Sequence, residues 1–193
     1  MAGVPIGLSS LHYVVMDDPD AETYDIENIR QIKGAITANI NPNASNETLF
    51  ADDGPFDTAS TIGQIELELS VADIPLEDQA TLLGAAPVTN GILENKSTDT
   101  PPWVAVGFKS LKSNGKYRYV WLLKGKFQIP EMNHETKADS VNFQPPTIVG
   151  TFVKRDRDNK WRRMADEDST SFTSAVATNW FTDPDYAPVG GGS

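Results

Sequence analysis

The chain contains no cysteine and only two histidines, His12 and His134, among its 193 residues. The first absence excludes disulfides, thiolate metal sites and cysteine nucleophiles, and the second excludes a metal centre built on several histidines. No run approaches the roughly 20 apolar residues that a membrane helix needs, and the first residues lack the basic and apolar regions of a secretion signal. These absences predict a soluble protein with no readable secretion signal and no membrane partner.

Positive charge is scarce in the first half of the chain. Residues 1–100 hold 17 acidic and 3 basic residues, whereas residues 101–193 hold 10 acidic and 13 basic residues, for a net charge of −11. A protein this acidic is a poor nucleic-acid binder, because duplex DNA must be neutralised by Lys and Arg. The polarity instead suits head-to-tail association of identical subunits, and its alternative is an ordinary solvated surface.

No linker, internal repeat or sharp change of composition divides the chain, which predicts a single domain over residues 1–193. Residues 11–16 are typical of a first strand that ends at the turn formers 17–20. Residues 32–40 alternate apolar and polar side chains and predict a second strand, closed at 41–43. Residues 44–60 are rich in Ser, Asn, Asp, Gly and Pro, and they predict a long, exposed, acidic loop.

The clearest alternation of the chain covers residues 64–71, where apolar side chains face one way and Glu66 and Glu68 face the other. A short helix is predicted to follow, with Asp73 and Pro75 at its start, Gly84 at its end and a stripe of Leu76, Ala80 and Leu83. Further strands are predicted at 147–154 and 160–164, paired around the turn between them. Residues 165–193 form a C-terminal extension with a flexible Gly-Ser tail.

A long β-hairpin is predicted over residues 103–127, because Asn114-Gly115 favours a type I′ turn between two strand-like runs. That turn would pair Phe108 with Trp121 on one face. The tip would be basic, and arms of about ten residues would outrun the domain's own core and need a partner. Four residues make up the basic tip: Lys109, Lys112, Lys116 and Arg118.

Motifs of catalysis and cofactor binding are missing from the chain. No nucleophile elbow, complete zinc-protease motif or phosphate loop occurs. Glu66 and Glu68 could form the carboxylate pair of a glycosidase, or be solvated glutamates. Carboxylates at 17–20 and 52–54 could hold Ca²⁺, or be plain acidic turns. The tryptophans beside the basic hairpin suit either base stacking or a sheet core, so we predict no enzyme, no cofactor and no metal.

Several segments together are similar to the major tail proteins of long-tailed bacteriophages of Gram-positive bacteria, in the phi13-type group. The resemblance covers nearly the whole chain and rests on the order and spacing of the segments rather than on one motif. The matching segments are 34–38, 47–55, 63–69, 74–84, 106–121, 150–153 and 179–181.

This resemblance implies a mainly β (α+β) fold of two packed antiparallel sheets with a flanking helix. It also implies a structural protein of the virion, made in the bacterial host cytoplasm, whose hexameric rings stack into the tail tube. Its partners would be further copies of itself, a tape-measure protein, and tail terminator and distal tail proteins. DNA would pass through the lumen without specific binding.

Roles within such a tube can be assigned from the residue pattern. Glu66 and Glu68 are candidates for the lumen, because like charge repels phosphate. An acidic set is expected to meet the basic hairpin tip of the neighbouring ring, and it comprises Asp52, Asp53 and Asp57. The alternative function is a carbohydrate-binding β-sandwich with Trp103 or Trp180 as the sugar platform.

Overall fold

The structure, a computed structural model, describes residues 3–51, 54–130 and 145–188, with only the backbone described for residues 45–51 and 54–60. The strands are β1 Pro5–Asp18, β2 Thr23–Tyr24, β3 Arg30–Ile32, β4 Ala35–Ala51, β5 Gly54–Val71, β6 Val104–Lys112, β7 Tyr117–Phe127, β8 Thr147–Val153 and β9 Arg162–Asp166. The helices are α1 Leu76–Leu83 and α2 Ser174–Asn179, with a 3-10 turn at Ile26–Asn28.

The described strands form one curled antiparallel sheet in the order β2-β1-β6-β7-β8-β5-β4. Strand β3 pairs with β1, and β9 pairs with β7 beyond the point where β8 ends. The sheet does not close, so its two ends carry strands with one unpaired side. This mainly β architecture with two helices confirms the predicted fold class.

The first core lies between the β1-β6-β7 half of the sheet and the β8-β5-β4 half. Ile65, Leu67, Leu69 and Val71 are at most 2% exposed, as the alternation of β5 predicts. They pack with apolar residues of β1, β3, β6, β7 and β8 in one continuous cluster. Burying side chains of this size contributes about 1.5–3 kcal/mol each, so this shared core holds the two halves together.

The second core lies on the opposite face of β6 and β7, under the C-terminal segment. Trp121 is fully buried there, and its indole N–H donates to the carbonyl oxygen of Trp180 at 2.8 Å. Gly107 stands directly across the strand pair from Trp121, and a Cβ at Gly107 would lie 2.6 Å from the indole ring. Both faces of the predicted hairpin are therefore covered by its own chain, and the prediction that it outruns the core is wrong.

The hairpin itself is confirmed, but its predicted register is wrong by one residue over most of its length. The backbone N–H of Lys112 donates to the carbonyl of Lys116, and Gly115 alone in the turn has a positive φ, of +81°. This is a three-residue turn with a glycine bulge rather than a two-residue type I′ turn. Phe108 therefore pairs with Val120, and the predicted pairing of Phe108 with Trp121 is lost.

The predicted loop is wrong for residues 44–51 and 54–60, which are strand. Strand β4 continues past the predicted stop at 41–43 as far as Ala51, and it pairs with β5 along their whole lengths. The predicted second strand is also divided, because Gly34, at a φ of +80°, separates β3 from β4. Turn-forming residues are tolerated here because a two-stranded ribbon needs no buried face to satisfy its backbone hydrogen bonds.

The predicted helix is present, with Gly84 in the left-handed conformation at its end. Its start differs from the prediction, because no side chain caps it and Pro75 precedes the first turn. Its buried face is Ala80, Leu82 and Leu83, whereas Leu76 is 39% exposed. The predicted pairing of the strands at 147–154 and 160–164 with each other is wrong, because β8 and β9 pair one after the other with β7. Helix α2 was not predicted.

Candidate assembly surfaces

Besides the short strands β2 and β3, which pair only with β1, three longer strand edges are unpaired among the described residues. Strand β4 has β5 as its only strand partner, β9 has β7 alone, and the start of β1, before its contact with β3, pairs only with β6. Val4 and Ile6 at this start are each 66% exposed. Exposed edges with apolar side chains are templates for pairing with another chain.

A β-ribbon extends from one end of the sheet, and we call residues 41–64 the arm. Strand β5 pairs with both β4 and β8 from Ile65 to Ser70, and before Ile65 it pairs with β4 alone. The register between β4 and β5 shifts between Pro42 and Ala44, opposite Gly63. Bulges of this kind bend a strand, so the arm leaves the sheet at a built-in kink.

A polar sheet face lies opposite the first core. Glu66 and Glu68 are exposed on it, as the sequence predicts. Asn41 and Thr151 flank Glu66 across the strands, and Asn39 flanks Glu68. No ion pair of the described residues involves either glutamate. The face therefore carries negative charge that the described side chains do not neutralise.

The basic hairpin tip, in contrast, is neutralised within the chain. Lys112 is 1% exposed, with its Nζ 2.8 Å from an Asp166 oxygen and in direct contact with Asp168. Arg118 also binds Asp166 at 2.7 Å, and Lys116 binds Asp168 at 3.3 Å. Sequence reasoning placed these bases correctly at the tip but missed their partners, which lie 48–56 residues further along the chain.

The pKa values of this cluster follow its ion pairs. Burial alone would raise the pKa of Asp166, but hydrogen bonds from Lys112, the Asp168 amide and Arg118 lower it to about 2. The hydrogen bond from Lys112 also lowers the pKa of Asp168, and the two aspartates raise the pKa of Lys112. Lys109 differs from its neighbours, because its Nζ lies 4.6 Å from the Tyr117 ring and has no carboxylate partner among the described residues.

The acidic residues predicted to face the hairpin tip are only partly placed. Asp52 and Asp53 lie outside the described residues. Asp57 is on β5 opposite Leu49, and only its backbone is described. The ladders put the end of the arm and the β6–β7 turn at the same end of the sheet. Contact between them in neighbouring rings stays a prediction.

A second ionic cluster, around Arg155, was not predicted at all. Arg155 is 1% exposed and binds Asp158 at 2.5 Å, Asp185 at 2.8 Å and the Tyr24 hydroxyl at 3.1 Å. Burial would lower its pKa, but the two carboxylates raise it. The sequence marked this segment as a turn cluster, and only the fold shows that it fastens the C-terminal segment to the β8–β9 turn.

Glu22 anchors the same turn from the other side. It is 1% exposed, accepts hydrogen bonds from the amides of Asp156 and Arg157, and pairs with Lys124 at 2.5 Å. Burial would raise its pKa, but the bonds from Lys124 and the two amides lower it. Glu22 therefore stays ionised and holds the β1–β2 and β8–β9 turns together.

The described residues show no group of three His, Asp or Glu side chains that could hold a metal ion. His12 stacks on Phe181 at 4.3 Å, and burial lowers its pKa; His134 lies outside the described residues. Of the suggested sugar platforms, Trp180 is only 4% exposed, and Trp103 is covered by the ammonium groups of two lysines. Among the residues that the structure describes, no helix is long and apolar enough to cross a membrane.

Open strand edges, an extended arm and a sheet face whose charge no described side chain compensates are features of a structural subunit that assembles with other chains. The comparison with protein families identifies which one: residues 23–181 match the family described as phage tail tube protein. The chain therefore belongs to the phage tail tube proteins, which are structural components of the virion tail. The phi13-type assignment stays a prediction, and a search of curated proteins gives no match.

Proposed function

We propose that the chain forms closed rings of six subunits that stack into the tail tube, and that DNA passes through the lumen. The observation that carries this proposal is the open sheet of a tail tube family member. A strand edge that is unpaired in one subunit can pair with the next subunit until the ring closes and no edge remains. Stacking then uses a front and a back surface, which is the heterologous contact that generates filaments.

The polar face with Glu66 and Glu68 is our choice for the lumen. It is a paired, regular sheet surface, it is exposed, and its carboxylates have no cationic partners among the described side chains. DNA carries one negative charge per ~1.7 Å, so an acidic wall repels phosphate and lets the duplex slide without binding. The acidic residues of each ring add to the same field.

Contacts between rings are assigned to the arm and to the surface around Lys109. The arm projects from one end of the sheet, and Asp52, Asp53 and Asp57 give its end a negative charge. Lys112, Lys116 and Arg118 are engaged with acidic residues of their own chain, so they support the hairpin rather than reach outward. A tape-measure protein and the terminator and distal tail proteins complete the tail, after synthesis in the host cytoplasm.

The lumen assignment can be tested because the chain has no cysteine. A Glu68→Cys variant is treated with a bulky polymer-linked maleimide, both as dissociated subunits and as assembled particles. We expect rapid labelling of the subunits and strong protection in the particles, since the reagent cannot enter a closed lumen. Lys96→Cys, in the exposed connection between α1 and β6, is the matched control. Equal labelling of Glu68→Cys in both states would refute the assignment.

A further inference from the structure

Strand β9 has a free edge that the proposed ring does not yet explain. It occupies the side of β7 from Arg118 to Leu122, directly before the stretch of β7 that pairs with β8. On its other side no described strand is paired with it. Met164, in the middle of β9, is 49% exposed. The edge therefore offers backbone donors and acceptors beside an exposed apolar side chain.

A cleft runs along this strand. Its volume is about 350 Å³. Both polar and apolar side chains line it: Arg118, Met164, Ala165, Asp166, Ser169, Ser171, Phe172 and Val176. A free strand edge with an adjacent cleft is the arrangement that binds an added strand, because the edge pairs with its backbone and the cleft takes alternate side chains.

Charge indicates which strand this edge accepts. Residues 154–163 contain six basic and two acidic residues in a chain whose net charge is −11. Five of these six bases have partners in their own chain. Arg155, Arg157 and Arg163 bind Asp185 or carbonyl groups of the C-terminal segment, and the two lysines bind the β8–β9 turn, Lys154 at Asn159 and Lys160 at Asp158. Arg162 is exposed, lies over the Trp161 ring at 4.4 Å and pairs with no described carboxylate. An acidic strand is the complementary occupant.

The arm has this chemistry. Residues 41–64 carry four acidic residues and no basic residue, and they include Phe50 and Phe56 as side chains of a size to enter a cleft. The arm is also a two-stranded ribbon, which is at best marginally stable until further strands or a packing surface complete it. We propose that the β9 edge accepts the arm of a second copy of this chain by strand addition.

The arm of the same chain is not the occupant. By register, β9 lies level with residues 58–62 of β5, and the two strands run antiparallel. No ladder joins β9 to this part of β5, and the register shift beside Gly63 separates it from the part of β5 that pairs with β8. Within the described residues, the β9 edge therefore has no strand from its own chain, and a neighbouring copy can supply one.

Crosslinking between two single-cysteine proteins tests this proposal, which rests on the proposed assembly. Five variants each carry a single cysteine, at position 56, 57, 58, 59 or 60. Each is mixed in turn with protein carrying Met164→Cys, and the mixture is assembled and then oxidised. We expect disulfide-linked dimers in the pelleted particles with a period of two along the arm, because alternate side chains of a strand share a face. Arg162→Cys is the second acceptor variant, and Lys96→Cys replaces the arm cysteine in the control.

Each outcome decides a different point. Particles that form without these crosslinks would overturn the docking of the arm on β9 and leave the tube assignment intact. Crosslinks of equal strength at every position would contradict strand pairing. A crosslink formed only within one doubly substituted chain, in dilute solution, would show that the arm closes on its own body. Failure of the unmodified chain to assemble under any condition would overturn both proposals.

Discussion

Replacing Arg155 by Met tests whether the ionic cluster at the β8–β9 turn holds the C-terminal segment in place. Met keeps much of the apolar stem but removes the cation between Asp158 and Asp185. Removing one partner of a buried ion pair costs ~3–5 kcal/mol, because the other charge is left unpaired. Asp158 and Asp185 are 25% and 32% exposed, so water compensates partly and the lower limit applies.

We therefore expect Arg155→Met to lower the free energy of unfolding by about 3 kcal/mol at pH 7. For a chain of this size that corresponds to a fall in Tm of about 6–12 °C. Urea unfolding followed by tryptophan fluorescence reports it directly, since Trp180 lies in the fastened segment. Lys154→Met, at an exposed neighbour, is the control and should change stability by less than about 0.5 kcal/mol.

The pH dependence of the same variant gives a second check. Burial would raise the pKa of Asp158, but its hydrogen bond from Arg155 lowers it. A carboxyl with a lowered folded pKa contributes stability that is present above its unfolded value, about 4, and is lost as the pH falls. The difference in the free energy of unfolding between Arg155→Met and the parent chain should therefore become smaller below about pH 4. A cost no larger than that of Lys154→Met would refute the reasoning.

Three further changes follow from single contacts. Gly107→Ala should destabilise the chain by about 1–3 kcal/mol in the same urea assay, because its Cβ would overlap the Trp121 ring. Gly7→Ala is the control, because Gly7 also lies on a strand without a positive φ and its Cβ would make only an ordinary contact of 3.9 Å with Leu111. Lys112→Glu should abolish the cooperative unfolding transition seen by circular dichroism, because it places a third carboxylate beside Asp166 and Asp168. Lys109→Glu is the control and should keep this transition while impairing particle formation. A folded Lys112→Glu protein would contradict the ion-pair assignment. Asp166→Asn should remove the fall in the free energy of unfolding that protonation of Asp166 causes between about pH 4 and pH 2. If this variant and the parent chain lose stability equally over that range, the pKa of Asp166 is not lowered.

Local patterns predicted much of the fold correctly. The alternation around Glu66 and Glu68 identified both the buried and the exposed face of β5, because side chains of a strand alternate whatever its partners. Gly84 marked the end of α1 for a similarly local reason, since a helix often ends in a left-handed residue. The hairpin register failed because a choice between two turn types of similar sequence shifts every pair by one residue.

Contacts between distant parts of the chain could not be predicted in the same way. Asp166 and Asp168 neutralise the hairpin tip only after β9 has paired with β7, and Arg155 meets Asp185 only when the C-terminal segment crosses the second core. The arm was missed because its turn-forming composition outweighed its strand pairing. Composition describes what a segment prefers alone, whereas the ribbon forms because each strand supplies the hydrogen bonds of the other.

Electron microscopy of the purified chain over a series of concentrations and salt conditions tests the central claim most directly. A subunit whose open edges pair with neighbouring copies should form hollow rings and stacked tubes, with class averages showing six-fold symmetry end-on. Tubes should shorten at high salt if charged surfaces join the rings. Monomers at every concentration, and also after co-expression with other tail proteins, would contradict the assignment of these edges and of the arm to tube assembly.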